Sequence, residues 1–177
     1  MIGKDAHVDV LSYDGEPFGA YEELISEVKK ADSTVVAVAP YLVYKMGISS
    51  RKVNDGVVIY GIDPERSKQV VDIHQKIRWG HYSVDSLPDM GGTLRPGVIL
   101  GIGLANRLRV VVGDKIVLQT FQSPDAMLAS GGPKMMQAVV SGIFETGMYE
   151  YDANFVFMPI DAAQIYFGLK NAVTNID

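Results

Sequence analysis

The residues able to do chemistry are few, and their spacing serves none of the common reactions. Cysteine is absent, which removes thiol nucleophiles, thiolate metal sites and disulfides without fixing a redox compartment. The histidines His7, His74 and His81 are scattered. His74 and His81 lie seven apart with Trp79-Gly80 between them and no third ligand nearby, so no metal site is expected. Carboxylates pair at Glu22/Glu23, on the solvated face of a predicted helix, and at Glu150/Asp152, in a predicted turn. Acid–base work there would need a pocket that shifts their pKa values. Ser49, Ser50, Ser123 and Ser130 stand outside any Gly-x-Ser-x-Gly elbow.

One stretch points to a nucleotide: Gly101-Ile102-Gly103, between an apolar strand and a helix. A dinucleotide fingerprint requires a third glycine three residues on, and position 106 is Asn106. A tight strand-to-helix turn explains the pair as well, and no Gly-Lys-Ser/Thr phosphate cradle is present. These residues supply no catalytic constellation and imply no cofactor. A small-ligand enzyme built on Gly101 and Gly103 stays as a remote alternative.

The elements that would position these residues alternate short apolar runs with helical segments, an α+β pattern. His7 to Leu11 reads as a first strand. Pro17 opens a helix with Phe18, Tyr21, Leu24, Ile25 and Val28 on one face. Thr34 to Val38 is a β-branched strand stopped by Ala39-Pro40, and Val57 to Ile62 is another. Asp63 caps a helix begun by Pro64, with Val70, Ile73 and Ile77 as its buried stripe, Trp79 a core residue at its end and Gly80 its stop. A Gly- and Pro-rich stretch, 87–97, is the expected junction between two mixed α/β subdomains. Beyond it follow strands at 98–100, 116–121, 138–144 and 155–158, helices at 104–108 and 161–167, and a polar loop over 122–134. Gly147 to Asp152 reads as a turn in which the tyrosines pack on strands and Asp152 caps.

The 177 residues, 47% of them hydrophobic, suffice for one buried core or two small subdomains. Roughly 70% of the unfolded surface is buried at this size. A net charge of −5 without a basic block argues against nucleic acid as a partner. The longest uncharged stretch near the middle, Ser33 to Tyr44, falls short of the about 20 residues that span a bilayer. Met1-Ile2-Gly3-Lys4-Asp5 carries a charge pair where a leader needs an apolar run. Taken alone, these features read as a soluble cytoplasmic protein.

The order of several motifs reverses that reading. Pro96-Gly97-Val98-Ile99-Leu100-Gly101, Leu104-Ala105 and Val112-Gly113-Asp114-Lys115-Ile116 lead to Phe144-Glu145-Thr146-Gly147-Met148-Tyr149-Glu150-Tyr151-Asp152, the most specific piece, and then to Pro159-Ile160-Asp161-Ala162-Ala163-Gln164. Ala6-His7-Val8, Val38-Ala39-Pro40-Tyr41 and Tyr60-Gly61-Ile62-Asp63-Pro64 precede them. This arrangement resembles, over essentially the whole chain, the periplasmic domain of lipoprotein-releasing ABC transporter permeases of the LolC/LolE family, and more distantly the MacB-like periplasmic core domain.

The resemblance implies a single α+β periplasmic domain over 1–177, carried between two transmembrane helices on the periplasmic side of the bacterial inner membrane, with its ends close together. It implies a cytoplasmic ATPase subunit and a partner permease as companions, a lipoprotein as substrate, a periplasmic lipoprotein carrier as recipient, and no covalent chemistry in the domain. A MacB-like efflux or mechanotransmission permease is the alternative within the same fold.

LolC-like members hook the carrier with a loop between two strands, which by position is 122–136 here. Met127, Leu128, Met135 and Met136 offer adaptable apolar contact, and Pro124 and Pro133 limit the ordering entropy lost on binding. The loop holds one basic residue, Lys134, where the LolC hook carries several between its apolar ones. A second contact candidate is the turn bearing Met148, Tyr149 and Tyr151.

Overall fold

A computed structural model describes residues 8–51, 53–120 and 134–177. Among these, six strands close on one another. β2 (Pro40–Ser50) pairs with β3 (Val53–Ile62), β3 with β10 (Phe155–Pro159), and β10 with β7 (Gly97–Gly101). β7 then pairs with β9 (Met135–Phe144), β9 with β8 (Lys115–Thr120), and β8 returns to β2. Closure leaves no long free edge in this ring, which protects it from pairing with other chains.

Side chains alternate across this wall with period 2. Leu42, Met46 and Ile48 of β2, Val98 and Leu100 of β7, and Ile116 and Leu118 of β8 meet in the central core. Ile99, Phe144 and Phe157 face the other way and pack with Ile73 and Val84 in a second cluster. α3 (Ile102–Leu108) adds Leu104 and Leu108 to the central core, and α5 (Ile160–Phe167) adds Ala163. α1 (Tyr21–Ala31) lies over a third cluster through Tyr21 and Ile25.

Two short strands extend the sheet beyond β2. β11 (Asn175–Ile176) pairs with β2 and with β1 (Val10–Leu11), so Val10 stands opposite Ile176 and the described ends lie side by side. Residues 87–97 carry the hairpin of β5 (Leu87–Pro88) and β6 (Leu94–Arg95). Asp89 shapes its turn by accepting from the Gly91 and Thr93 N–H groups. No helix among the described residues is long and apolar enough to cross a membrane.

Four sequence expectations are corrected. Residues 34–38 form no strand; the strand begins at Pro40, where proline is tolerated because the first position need not donate. Helix α1 starts at Tyr21, because Phe18 is held by reciprocal backbone bonds to Val173. The Asp63 cap is present, accepting from Glu65 and Arg66 N–H, but α2 (Pro64–Val70) ends early. Asp72–Lys76 is a 3-10 turn, and Ile77–Gly80 is the strand β4 on β9. Trp79 therefore sits in an edge strand, 53% exposed, and not in the core.

Candidate functional site

The β8–β9 hairpin carries the first candidate surface. Its register sets Leu118 opposite Met136 and Gln119 opposite Met135. Met136 packs against the central core, whereas Met135 is 60% exposed. Pro124, Met127, Leu128 and Pro133 lie outside the described residues.

The base of the hairpin is fastened by α5. The Thr120 N–H donates to the Tyr166 hydroxyl at 3.1 Å, and that hydroxyl donates to the Lys134 carbonyl. Thr120 N–H also reaches Lys134 O at 3.4 Å. Tyr166 meets Phe167 edge-on at 5.1 Å between centroids, and Phe167 stacks on Tyr44 at 3.9 Å. Burial pushes the Tyr166 hydroxyl above its ordinary pKa, which keeps the proton it donates. One side chain thus fixes both ends of the connection between β8 and β9.

The second candidate is organised by Asp152. Its carboxylate accepts from Thr146 N–H and Thr146 Oγ1, both at 2.8 Å, and from Gly147 N–H at 3.0 Å. Thr146 Oγ1 in turn accepts from Met148 N–H at 3.1 Å. Gly147 adopts φ 82°, a left-handed conformation that glycine takes without strain. The stretch expected as a turn continues as a helix, α4 (Tyr149–Asn154). Its contact candidates separate: Tyr149 is 81% exposed and Met148 partly so, whereas Tyr151 turns inward against Phe155 at 4.6 Å.

The same helix fills the turn at Gly101. A Cβ on Gly101 would lie 2.3 Å from the Asp152 carbonyl oxygen, and one on Gly103 3.0 Å from it. Backbone occupies the space a phosphate would need, so the glycines serve helix packing, not nucleotide binding. Among the described residues no three His, Asp or Glu side chains gather as a metal site; His74 Nδ1 lies 3.3 Å from the Val71 carbonyl, and His7 lies outside the described residues.

What remains is a fold with a braced hairpin and a capped turn. The model of the MacB-like periplasmic core domain matches residues 3–177. The chain belongs to the MacB-like periplasmic core domain family. As a member, it is an extracytoplasmic domain of a MacB- or LolC-like ABC transporter permease, on the periplasmic side of the inner membrane.

Over 147 residues, 80% of this chain, it is 29% identical to the lipoprotein-releasing system transmembrane protein LolC of Neisseria meningitidis serogroup B. The match spans about a third (32%) of that relative's length. Two solved structures share the fold. The extracellular domain of the noncanonic ABC-type transporter YknZ from Gram-positive bacteria superposes with a TM-score of 0.58 at 16% identity, covering 90% of this chain and 71% of that one. The periplasmic region of MacB from Actinobacillus actinomycetemcomitans gives 0.56 at 10% identity, covering 96% and 64%. The MacB-like core architecture is therefore the mixed helix-and-strand fold described above.

Proposed function

We propose that this MacB-like core domain serves a permease that releases lipoproteins from the inner membrane, and that the β8–β9 connection meets the periplasmic carrier that receives them. The observation that carries the reading is the Tyr166 clamp on Thr120 and Lys134, which braces the two described residues that flank 121–133, the sequence stretch holding Pro124, Met127, Leu128 and Pro133; Met135, just past it, is exposed. A braced base lowers the entropy lost when a loop docks, and methionine and leucine give contact that adapts to a partner. The LolC likeness supports lipoprotein over other cargo. Energy comes in this reading from a cytoplasmic ATPase subunit, and the membrane passage is shared with a partner permease.

In the same proposal residues 1–177 act as one domain, with 87–97 as the passage from its first half to its second. Met148 and Tyr149 offer a subsidiary contact, while Tyr151 is left to a different task. The test is capture of the cognate carrier on the immobilised domain, comparing the intact chain with one whose residues 122–133 are replaced by a short Gly-Ser turn. Retention by the intact chain and loss on replacement support the reading; equal retention, or none by the intact chain, opposes it.

A further inference from the structure

A cavity of about 310 Å³ opens beside the first residues of β2, away from the braced hairpin. Its walls are aromatic: Tyr41, Tyr60, Tyr151, Phe155 and Phe157. The rings form a continuous surface, with centroids 5.9 Å apart for Tyr41–Tyr60, 5.0 Å for Tyr60–Phe155 and 5.5 Å for Tyr60–Phe157. This volume is at the lower end of what small-ligand sites occupy, and such sites join apolar walls to a few fixed polar groups.

The charged groups among its described lining residues are acidic. Asp9 and Asp177 line the cavity, and no Lys, Arg or His is among its described lining residues. Asp9 is held in place: Asn175 Nδ2 donates to both its oxygens at 3.1 Å, and the Tyr41 hydroxyl donates to one at 3.3 Å. The field of these carboxylates is felt by the walls. Burial first, then Asp177 and Asp9, hold the Tyr41 hydroxyl well above its ordinary pKa. Burial first, then Tyr151, Asp177 and Asp9, push Tyr60 up to about 12. Burial opposes a charge of either sign, so it is only the share of these shifts due to Asp9 and Asp177 that attracts a cation.

We propose that this cavity binds an organic ammonium group carried on an apolar stem. The aromatic faces take the stem and attract the cation through their quadrupoles, and the carboxylate of Asp9 at the mouth supplies the opposite charge. The pocket asks nothing of the hairpin or the carrier, so this site stands or falls apart from the proposed release function.

The test titrates the chain with n-hexylammonium, followed by amide shifts of Tyr41, Tyr60 and Tyr151 in NMR spectra, with n-hexanol as the neutral isostere. The expected result is saturable binding in about the millimolar range for the cation, and about five- to tenfold weaker binding for hexanol. Asp9→Asn, on an exposed side chain, is expected to remove most of that preference. Tyr60→Leu is expected to weaken the cation by a similar factor. Short-chain phosphatidylethanolamine in a second arm separates sources: binding like hexylammonium assigns a lipid headgroup, and rejection assigns a free amine. Equal affinity for hexanol, no saturable shift with hexylammonium, or an unchanged preference in folded Asp9→Asn would overturn the proposal.

Discussion

Tyr166 on α5 receives the backbone N–H of Thr120 at 3.1 Å, and through the same hydroxyl it holds the Lys134 carbonyl. Two residues separated by the whole β8–β9 connection are thereby tied to a helix from the far end of the chain. Tyr166→Phe keeps the ring packing on Phe167 and deletes only the hydroxyl. The expected outcome is a modest loss of stability, about 1–2 kcal/mol, and faster cleavage within 121–133 in limited proteolysis. Cleavage at the wild-type rate would show that the hydroxyl does not brace the loop.

Asp152 has a larger stake in the fold, being 7% exposed and accepting three hydrogen bonds. Asp152→Ala leaves the Thr146 and Gly147 N–H groups without their acceptor and is expected to cost about 2–4 kcal/mol. For a domain of this size that lowers Tm by roughly 5–15 °C in a thermal melt. Asp152→Asn recovers part of the loss, since one oxygen still accepts while the amide faces donors.

Gly101→Ala probes the close approach of β7 to α4. The added methyl would meet the Asp152 carbonyl oxygen at 2.3 Å, so backbone must move. Expected is a loss of about 3 kcal/mol or more by denaturant titration, without any ligand being involved. A neutral effect would mean that the turn has room, which is what the nucleotide alternative requires.

Alkaline pH should weaken the fold through its tyrosines. Burial pushes the Tyr60 hydroxyl up to about 12 in the folded chain, and Tyr41, Tyr44, Tyr82 and Tyr166 are also raised, each mainly by burial. Unfolded tyrosine ionises near pH 10, so from there upward the unfolded chain holds fewer of these protons than the folded one. Stability is therefore complete with respect to these groups below about pH 10 and falls as the pH rises toward 12 and beyond. Absorbance of tyrosinate measured alongside circular dichroism is expected to show phenol ionisation lagging until unfolding releases it.

Much of the second half was legible in the residues, because its apolar runs are short and are bounded by glycine or capped turns. β7, β8, β9, β10 and α5 lie close to their expected places, with Gly168 ending α5 at φ 73°. The first half was harder. Thr34 to Val38 has the better strand composition, yet Val36 is 96% exposed there, and the long strand is Pro40–Ser50, whose core residues Leu42, Met46 and Ile48 are set among half-buried Tyr41, Val43 and Tyr44, exposed Lys45 and buried Gly47. The spacing of Val70, Ile73 and Ile77 mimics a helical stripe, but Val71 is extended at ψ 143° and the three belong to successive short elements. The aromatic cavity is not legible in the sequence because Tyr41, Tyr60 and Tyr151 come from β2, β3 and α4. Only β2–β3 pairing and the parallel alignment of Tyr60 with Phe157 bring their surroundings together.

The proposed contact between the β8–β9 connection and the lipoprotein carrier can be read by crosslinking in the full permease. A photoreactive benzoylphenylalanine is placed at Met127 or Leu128, with Leu94, exposed on the β5–β6 hairpin, as the comparison position. A crosslink to the carrier is expected from 127 or 128 and none from 94. Carrier crosslinks from 94 with silence at both loop positions would contradict that contact.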